Sequence, residues 1–168
     1  MPDKMSLNMK NVFQYKTEQF LPIDIDKAWA FFSSPKNLAH ITPPDMKFKI
    51  RTALHDEEIY EGMLIDYTVR PLFGIPMYWQ TEICKIEKPF VFTDRQRKGP
   101  YSFWEHTHRF SETTKGTFME DEVNYKLPLG FIGTLTHSFL VQKRIEDIFA
   151  YRRKTLTKIF QNHGTHLN

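Results

Sequence analysis

The segment GPYSFWEHTHRF, residues 99–110, sets Trp104, His106, His108 and Phe110 on alternate positions. A β-strand sends alternate side chains to opposite faces, so these four share one face while Phe103, Glu105, Thr107 and Arg109 take the other. Two imidazoles among large rings are chemically informative, because an unpaired polar group in an apolar interior is costly. Strand parity supplies partners. Phe90, Phe92, Asp94 and Gln96 share a face on the preceding strand; on the following one the apolar parity is Met119, Asp121, Val123, Tyr125 and Leu127, since the opposite face would bury Glu120, Glu122 and Asn124 together. Hairpins about Gly99 and Gly116 that set Asp94 beside His106 and Asp121 near His108 bring four titratable groups together. A register slip of one residue would disperse them.

Three chemistries suit such a cluster. Carboxylates can accept from imidazole, fix its tautomer and hold the sheet in register as an internal network. The same groups can orient the polar end of an organic molecule whose body lies against Trp79, Phe92, Trp104 and Tyr125, with Tyr67, Gln96 and Phe110 as further contacts. A metal is the third choice, since His-x-His on a strand offers two imidazoles ~6–7 Å apart at Cα and one acid completes a facial triad. The spacing carries no further fixed ligand, and neighbouring acids serve imidazole equally well, so no metal and no cofactor is expected.

The elements that must position these residues follow from periodicity. Alternation predicts strands over 13–21, 46–54, 63–70, 76–87, 89–97, 102–112 and 117–127, with Gly62, Gly74, Gly99-Pro100 and Gly116 as turn signals. After the first strand, Asp24 reads as the cap of a helix carrying Ile25, Ala28, Trp29 and Phe32; Ser34 and Pro35 open a second short one with Leu38 and Ile41. After Pro128 and Gly130, apolar residues recur at three-to-four spacing over 137–161 (Ile145, Ile148, Phe149, Leu156, Ile159, Phe160), with Arg152 in the same phase. The order predicts an α+β fold: a seven-stranded curved antiparallel sheet wrapped around a long C-terminal helix, with a cleft between them. Residues 1–10 read as a flexible leader, 11–162 as one domain and 163–168 as a polar tail.

Composition limits the function classes. A chain of 168 residues, 40% hydrophobic and 15% aromatic, can bury a ring-lined core. The net charge of +3 comes from 23 basic and 20 acidic residues spread along the chain, a weak footprint for nucleic acid. Cys84 is the only cysteine, which excludes an internal disulfide. No run approaches the ~18 apolar residues of a membrane span, and the N-terminus lacks an export signal, so a cytoplasmic location is expected. The basic residues of the last helix, Arg152 among them, read as a solvated face, as do Arg70, Arg95 and Arg97 on the outward strand parity. Fingerprints for dinucleotides, nucleoside triphosphates, serine hydrolases and zincins are absent. Nothing in the sequence sets the oligomeric state.

Three stretches in order, FLPIDIDKAWAFFSSPKNLAHITPPDMKF, FTDRQRKGPYSFWEHTHRF and DEVNYKLPLG, resemble bacterial ligand-binding proteins of the SRPBCC superfamily labelled polyketide cyclase/dehydrase. The resemblance covers nearly the whole chain and implies the helix-grip fold, shared with START-like and pollen-allergen-like proteins, and a ligand cavity. It leaves the reaction open. The expected function is binding of a small hydrophobic or aromatic amphipathic ligand between sheet and helix. One alternative is a cyclase/dehydratase-type enzyme in which His106 or His108, paired with Asp94 or Asp121, moves protons at a carbonyl-activated carbon. Another is a lipid or quinone chaperone that meets membranes through the loop Leu72-Phe73-Gly74-Ile75-Pro76.

Overall fold

A computed structural model describes residues 12–53, 58–71, 73–128 and 135–161. The leader 1–10, the tail 163–168, Leu72 and Gly130 lie outside the described residues. Strand β1 (Phe13–Leu21) alternates as its sequence requires and ends at Pro22. Helix α1 (Ile25–Phe32) starts where the Asp24 carboxylate accepts the Lys27 amide at 2.8 Å, and it buries Ile25, Ala28 and Trp29. Helix α2 (Pro35–Leu38) opens on proline; Ser34 occupies the cap position without a capping side-chain bond, and Ile41 is buried just beyond the helix.

The strand expected over 46–54 is mostly absent. A single 3₁₀ turn, Pro44–Met46, runs into Lys47 in the left-handed region (φ 46°), and only Lys49–Ile50 pair as β2. The ladder stops because Arg51 and Thr52 both donate their amides to the Asp66 carbonyl, at 2.7 and 3.3 Å, while Thr52 Oγ1 accepts the Asp66 amide. The remaining strands lie close to their predicted bounds: β3 (Leu64–Val69), β4 (Met77–Glu87), β5 (Val91–Lys98), β6 (Phe103–Thr113) and β7 (Gly116–Lys126). Phe90 departs from its expected inward position. It lies in the β4–β5 turn, its amide bonded to the Glu87 carbonyl at 2.7 Å, and is 52% exposed.

All seven strands form one antiparallel sheet in the order β1-β7-β6-β5-β4-β3-β2. Register shifts at Gln80/Thr81 and Ile83/Lys85 in β4 are bulges, which bend a strand and sharpen its twist. Helix α3 (Leu135–Gln161) includes the whole predicted helical stretch and turns Ile145, Phe149 and Leu156 into the core. It is fastened to the edge strand β1 and, at the other side of the sheet, to the segments before β2 and after β3. Gln19 of β1 donates to the Arg153 carbonyl at 3.0 Å and to Thr157 Oγ1 at 3.2 Å, while Arg144 reaches Asp45 at 2.6 Å and the Pro71 carbonyl at 2.9 Å.

Candidate functional site

Strand register assembles the cluster. Across β5–β6, Asp94 pairs with His106 and Phe92 with His108; across β6–β7, His108 pairs with Asp121 and Trp104 with Tyr125. Directly paired and diagonal neighbours on one sheet face are within side-chain reach, so Asp121 meets both imidazoles. Its Oδ1 lies 2.8 Å from His106 Nε2 and 2.7 Å from His108 Nδ1. The first contact is a hydrogen bond; the second is off the direction of one, and His108 Nδ1 is buried with no other partner. On the far side of His106, Nδ1 faces Asp94 Oδ2 at 3.6 Å.

Burial and neighbouring charges divide the roles of the two acids. Desolvation opposes ionisation of Asp121, but both histidines outweigh it and hold its carboxyl well below the ordinary range. An ionised carboxylate only accepts, so His106 donates from Nε2 and its tautomer is set. Desolvation, reinforced by His108, drives the His106 imidazole below its ordinary value despite Asp121, leaving Nδ1 a bare acceptor. Asp94 behaves oppositely. Burial pushes its carboxyl up to about 6, against the pull of His108 and Arg152. A weakened base and a carboxyl that keeps its proton to a higher pH than an ordinary aspartate therefore face each other at the cavity wall.

A cavity of about 170 Å³ lies between the sheet and α3, within a cleft whose atom-free space, mouth included, is about 1190 Å³. An engineered apolar cavity of ~150 Å³ takes up benzene, so a cavity of this volume has room for a ring. Of the residues singled out from sequence, Tyr67, Trp79, Phe92, Asp94, Trp104, His106 and His108 line it. Gln96, Phe110, Asp121 and Tyr125 do not, each for a definite reason. Gln96 serves the Gly99 hairpin, its amide donating to the Tyr101 carbonyl at 2.7 Å. Phe110 packs against Trp29 and Phe32, Asp121 is sealed behind the histidines, and Tyr125 lies in a second core cluster with Val141 and Ile145.

The walls combine rings with hydroxyl groups. Tyr67 and Trp79 stack at 5.8 Å, Trp79 meets Trp104 edge-on at 5.4 Å, and Thr81 Oγ1 lies 3.1 Å from both Trp79 Nε1, which donates to it, and Tyr67 Oη. Burial keeps the Tyr67 phenol protonated far above its ordinary value. Sequence reasoning passed over Thr81, although it alternates with Trp79 and Ile83 on β4.

Arg152 is the larger omission and a correction. Read as part of a solvated basic face, it is only 8% exposed, lines the cavity, and has its guanidinium carbon 4.8 Å from the centre of the Phe149 ring. The helical phase it shares with Phe149 and Leu156 was the available signal. Arg95 and Arg97 do lie on the outward sheet face, paired with Glu105 and Glu82.

Asp94, His106 and His108 offer ligand atoms within 4.8 Å of one another, the donor types of a two-histidine, one-carboxylate metal centre. The positive charge of Arg152 acts on both Asp94 and His106 and opposes a further cation there.

No family model matches the chain, and no curated protein matches it. Solved structures do. TTHA0849 from Thermus thermophilus is 17% identical, with 91% of this chain and 100% of that one covered at a TM-score of 0.65. Ara h 8.0201 is 12% identical, with 88% and 99% covered at 0.59. StfQ, a di-domain ARO/CYC protein of the steffimycin biosynthetic pathway, is 9% identical at 0.68; 92% of this chain aligns with 52% of that one, so the chain spans about half its length. At these identities the likeness establishes the fold alone: the chain has the helix-grip fold, a seven-stranded antiparallel sheet against a long C-terminal helix.

Proposed function

We propose that the protein binds a small hydrophobic or aromatic amphipathic molecule in the cavity between sheet and C-terminal helix. The observation that carries this reading is the cavity itself, whose walls are largely apolar and onto which a few polar groups open, Asp94, His106 and His108 among them. Small-molecule sites commonly combine apolar walls with a few placed polar groups. The ARO/CYC neighbour supports a small-molecule role for this fold. The test is a ligand screen by thermal shift, followed by calorimetry on Trp104→Ala and His106→Gln. Loss of wall area in the first should weaken apolar ligands broadly. The second should discriminate oxygenated ligands from their deoxygenated analogues, since only the former use the polar patch. A wild type that no ligand class stabilises would defeat the proposal.

Acid–base catalysis of the cyclase/dehydratase kind is favoured by one feature, the 3.6 Å approach of Asp94 to the bare Nδ1 of His106. Turnover of a bound β-hydroxy carbonyl compound, abolished in Asp94→Asn with binding retained, is the outcome that identifies an enzyme. A role as a lipid or quinone carrier that meets membranes draws on the mouth, where Phe73 and Ile75 are 69% and 53% exposed and Arg144 ties the Pro71 carbonyl to α3. Co-flotation with vesicles, lost in Phe73→Ser, would support it. Among the described residues no helix is long and apolar enough to cross a membrane.

A further inference from the structure

We propose that the bound molecule is an amphipathic acid whose anionic group pairs with the guanidinium of Arg152. The inference rests on the cavity-binding reading above and names the chemical class of its ligand.

Arg152 lines the cavity from α3, on the same helical face as Phe149 and Leu156, and is only 8% exposed. Its Nε is buried without a hydrogen-bond partner. Among the described residues it forms no ion pair within 4.0 Å, whereas Arg95, Arg97, Arg109 and Arg144 each hold a carboxylate. Its guanidinium carbon lies over the Phe149 ring, 4.8 Å from the ring centre. A cation removed from water needs a counter-charge, or it destabilises the fold relative to an apolar side chain of similar size.

The acids nearby do not supply one by contact. Asp121 is sealed behind His106 and His108, with its Oδ1 against both rings. Asp94 faces His106 and lies beyond ion-pair distance of Arg152. The cavity therefore contains a fixed positive charge whose donors are not taken up by the protein. A guanidinium presents a planar fork of N–H groups that matches a carboxylate or sulfonate two bonds at a time, and such pairs gain strength where water is excluded. A flat apolar body can then lie against Trp79 and Trp104 while the anion occupies the helix side.

The experiment compares two ligands of nearly equal shape, 2-naphthoate and 2-naphthamide, at pH 7, by calorimetry and by quenching of tryptophan fluorescence. Proteins are the wild type, Arg152→Met and Arg152→Lys. The wild type should favour the acid by at least about tenfold. Arg152→Met should abolish that preference while leaving amide affinity within about threefold, and Arg152→Lys, which keeps the charge and loses the fork, should retain part of it. Ligand-free Arg152→Met should also melt at or above the wild-type temperature, because an unpaired buried cation has been removed; a merely structural arginine would give a lower melting temperature.

Equal wild-type affinity for acid and amide, a preference surviving in Arg152→Met, or parallel weakening of both ligands in that variant would each overturn the proposal. In the first case the cavity-binding reading survives. If neither compound binds the wild type, and 1-anilinonaphthalene-8-sulfonate does not bind either, both readings fall together.

Discussion

Replacing Asp94 by Asn locks in the neutral form of a carboxyl whose ionisation the fold resists, and this gives the cluster a measurable signature. Burial raises this group from 3.8 to about 6, and its side chain is 17% exposed, so solvent screens it only in part. A raised folded-state value means that the folded protein holds the proton more tightly than the unfolded chain. The associated stability is fully present below the unfolded value of 3.8 and is lost as pH rises through about 6. Raising the group from 3.8 to about 6 amounts to about 3 kcal/mol between those limits. Asparagine does not titrate and escapes that loss. Urea unfolding followed by tryptophan fluorescence should show the stability difference, variant minus wild type, increasing by about 2 kcal/mol from pH 4 to 7.5 and levelling off above about pH 7. Other groups titrate in both proteins and largely cancel in the difference. A difference that stays constant across this range would refute the placement of Asp94 as a desolvated acid on the cavity wall.

Asp121→Asn removes the charge that both histidines face at 2.8 and 2.7 Å, and should cost about 3–5 kcal/mol at pH 7 by urea midpoint; a loss under about 1 kcal/mol would dissolve the network. Wild-type stability should fall on acidification below pH 6.5, because the depressed His106 contributes stability present above its unfolded value of 6.5 and lost below it. The decline should be shallower than in Asp94→Asn, since Asp94 titrates in the opposing sense. Phe149→Ala should cost about 3–5 kcal/mol, the residue being 5% exposed and packed on Tyr15 at 5.0 Å, and unchanged stability would displace α3 from the sheet. Purified protein should carry no stoichiometric zinc, iron or manganese; one equivalent of metal by elemental analysis, lost in His106→Ala, would reassign the cluster.

Much of the site was legible because sheet parity is an unforgiving code. With β6 carrying Trp104, His106, His108 and Phe110 on one face, and glycine at both adjoining turns, the observed pairings of Asp94 with His106 and Asp121 with His108 are those that keep apolar residues inside. Parity names a face and says nothing of depth along it. Phe110 and Tyr125 are on the predicted face yet beyond the cavity, because α1 covers one end of the sheet through Trp29 and Tyr125 joins a separate cluster with Ile145. Gln96 has inward parity too, but the turn at Gly99 claims its amide. The short β2 was hidden because its ladder ends through backbone and threonine bonds to Asp66, a residue outside the predicted segment.

Arg152 was misread for a different reason, which bears on function. Charge content suggested a wet helix face, whereas helical phase placed this arginine with Phe149 and Leu156; phase prevailed because α3 has the concave sheet against that face. Folding alone does not favour such a choice, since methionine or leucine at the same position would fill the space without desolvating a charge. The same holds for Asp94, raised to about 6 by burial in the same cavity. Asp121, by contrast, has its charge met by two imidazoles on its own sheet and fits a structural role. Asp121, whose burial is offset by its neighbours, thus sits outside the cavity, whereas Asp94 and Arg152, whose burial is not offset by an ion pair between them, border the space a ligand would fill.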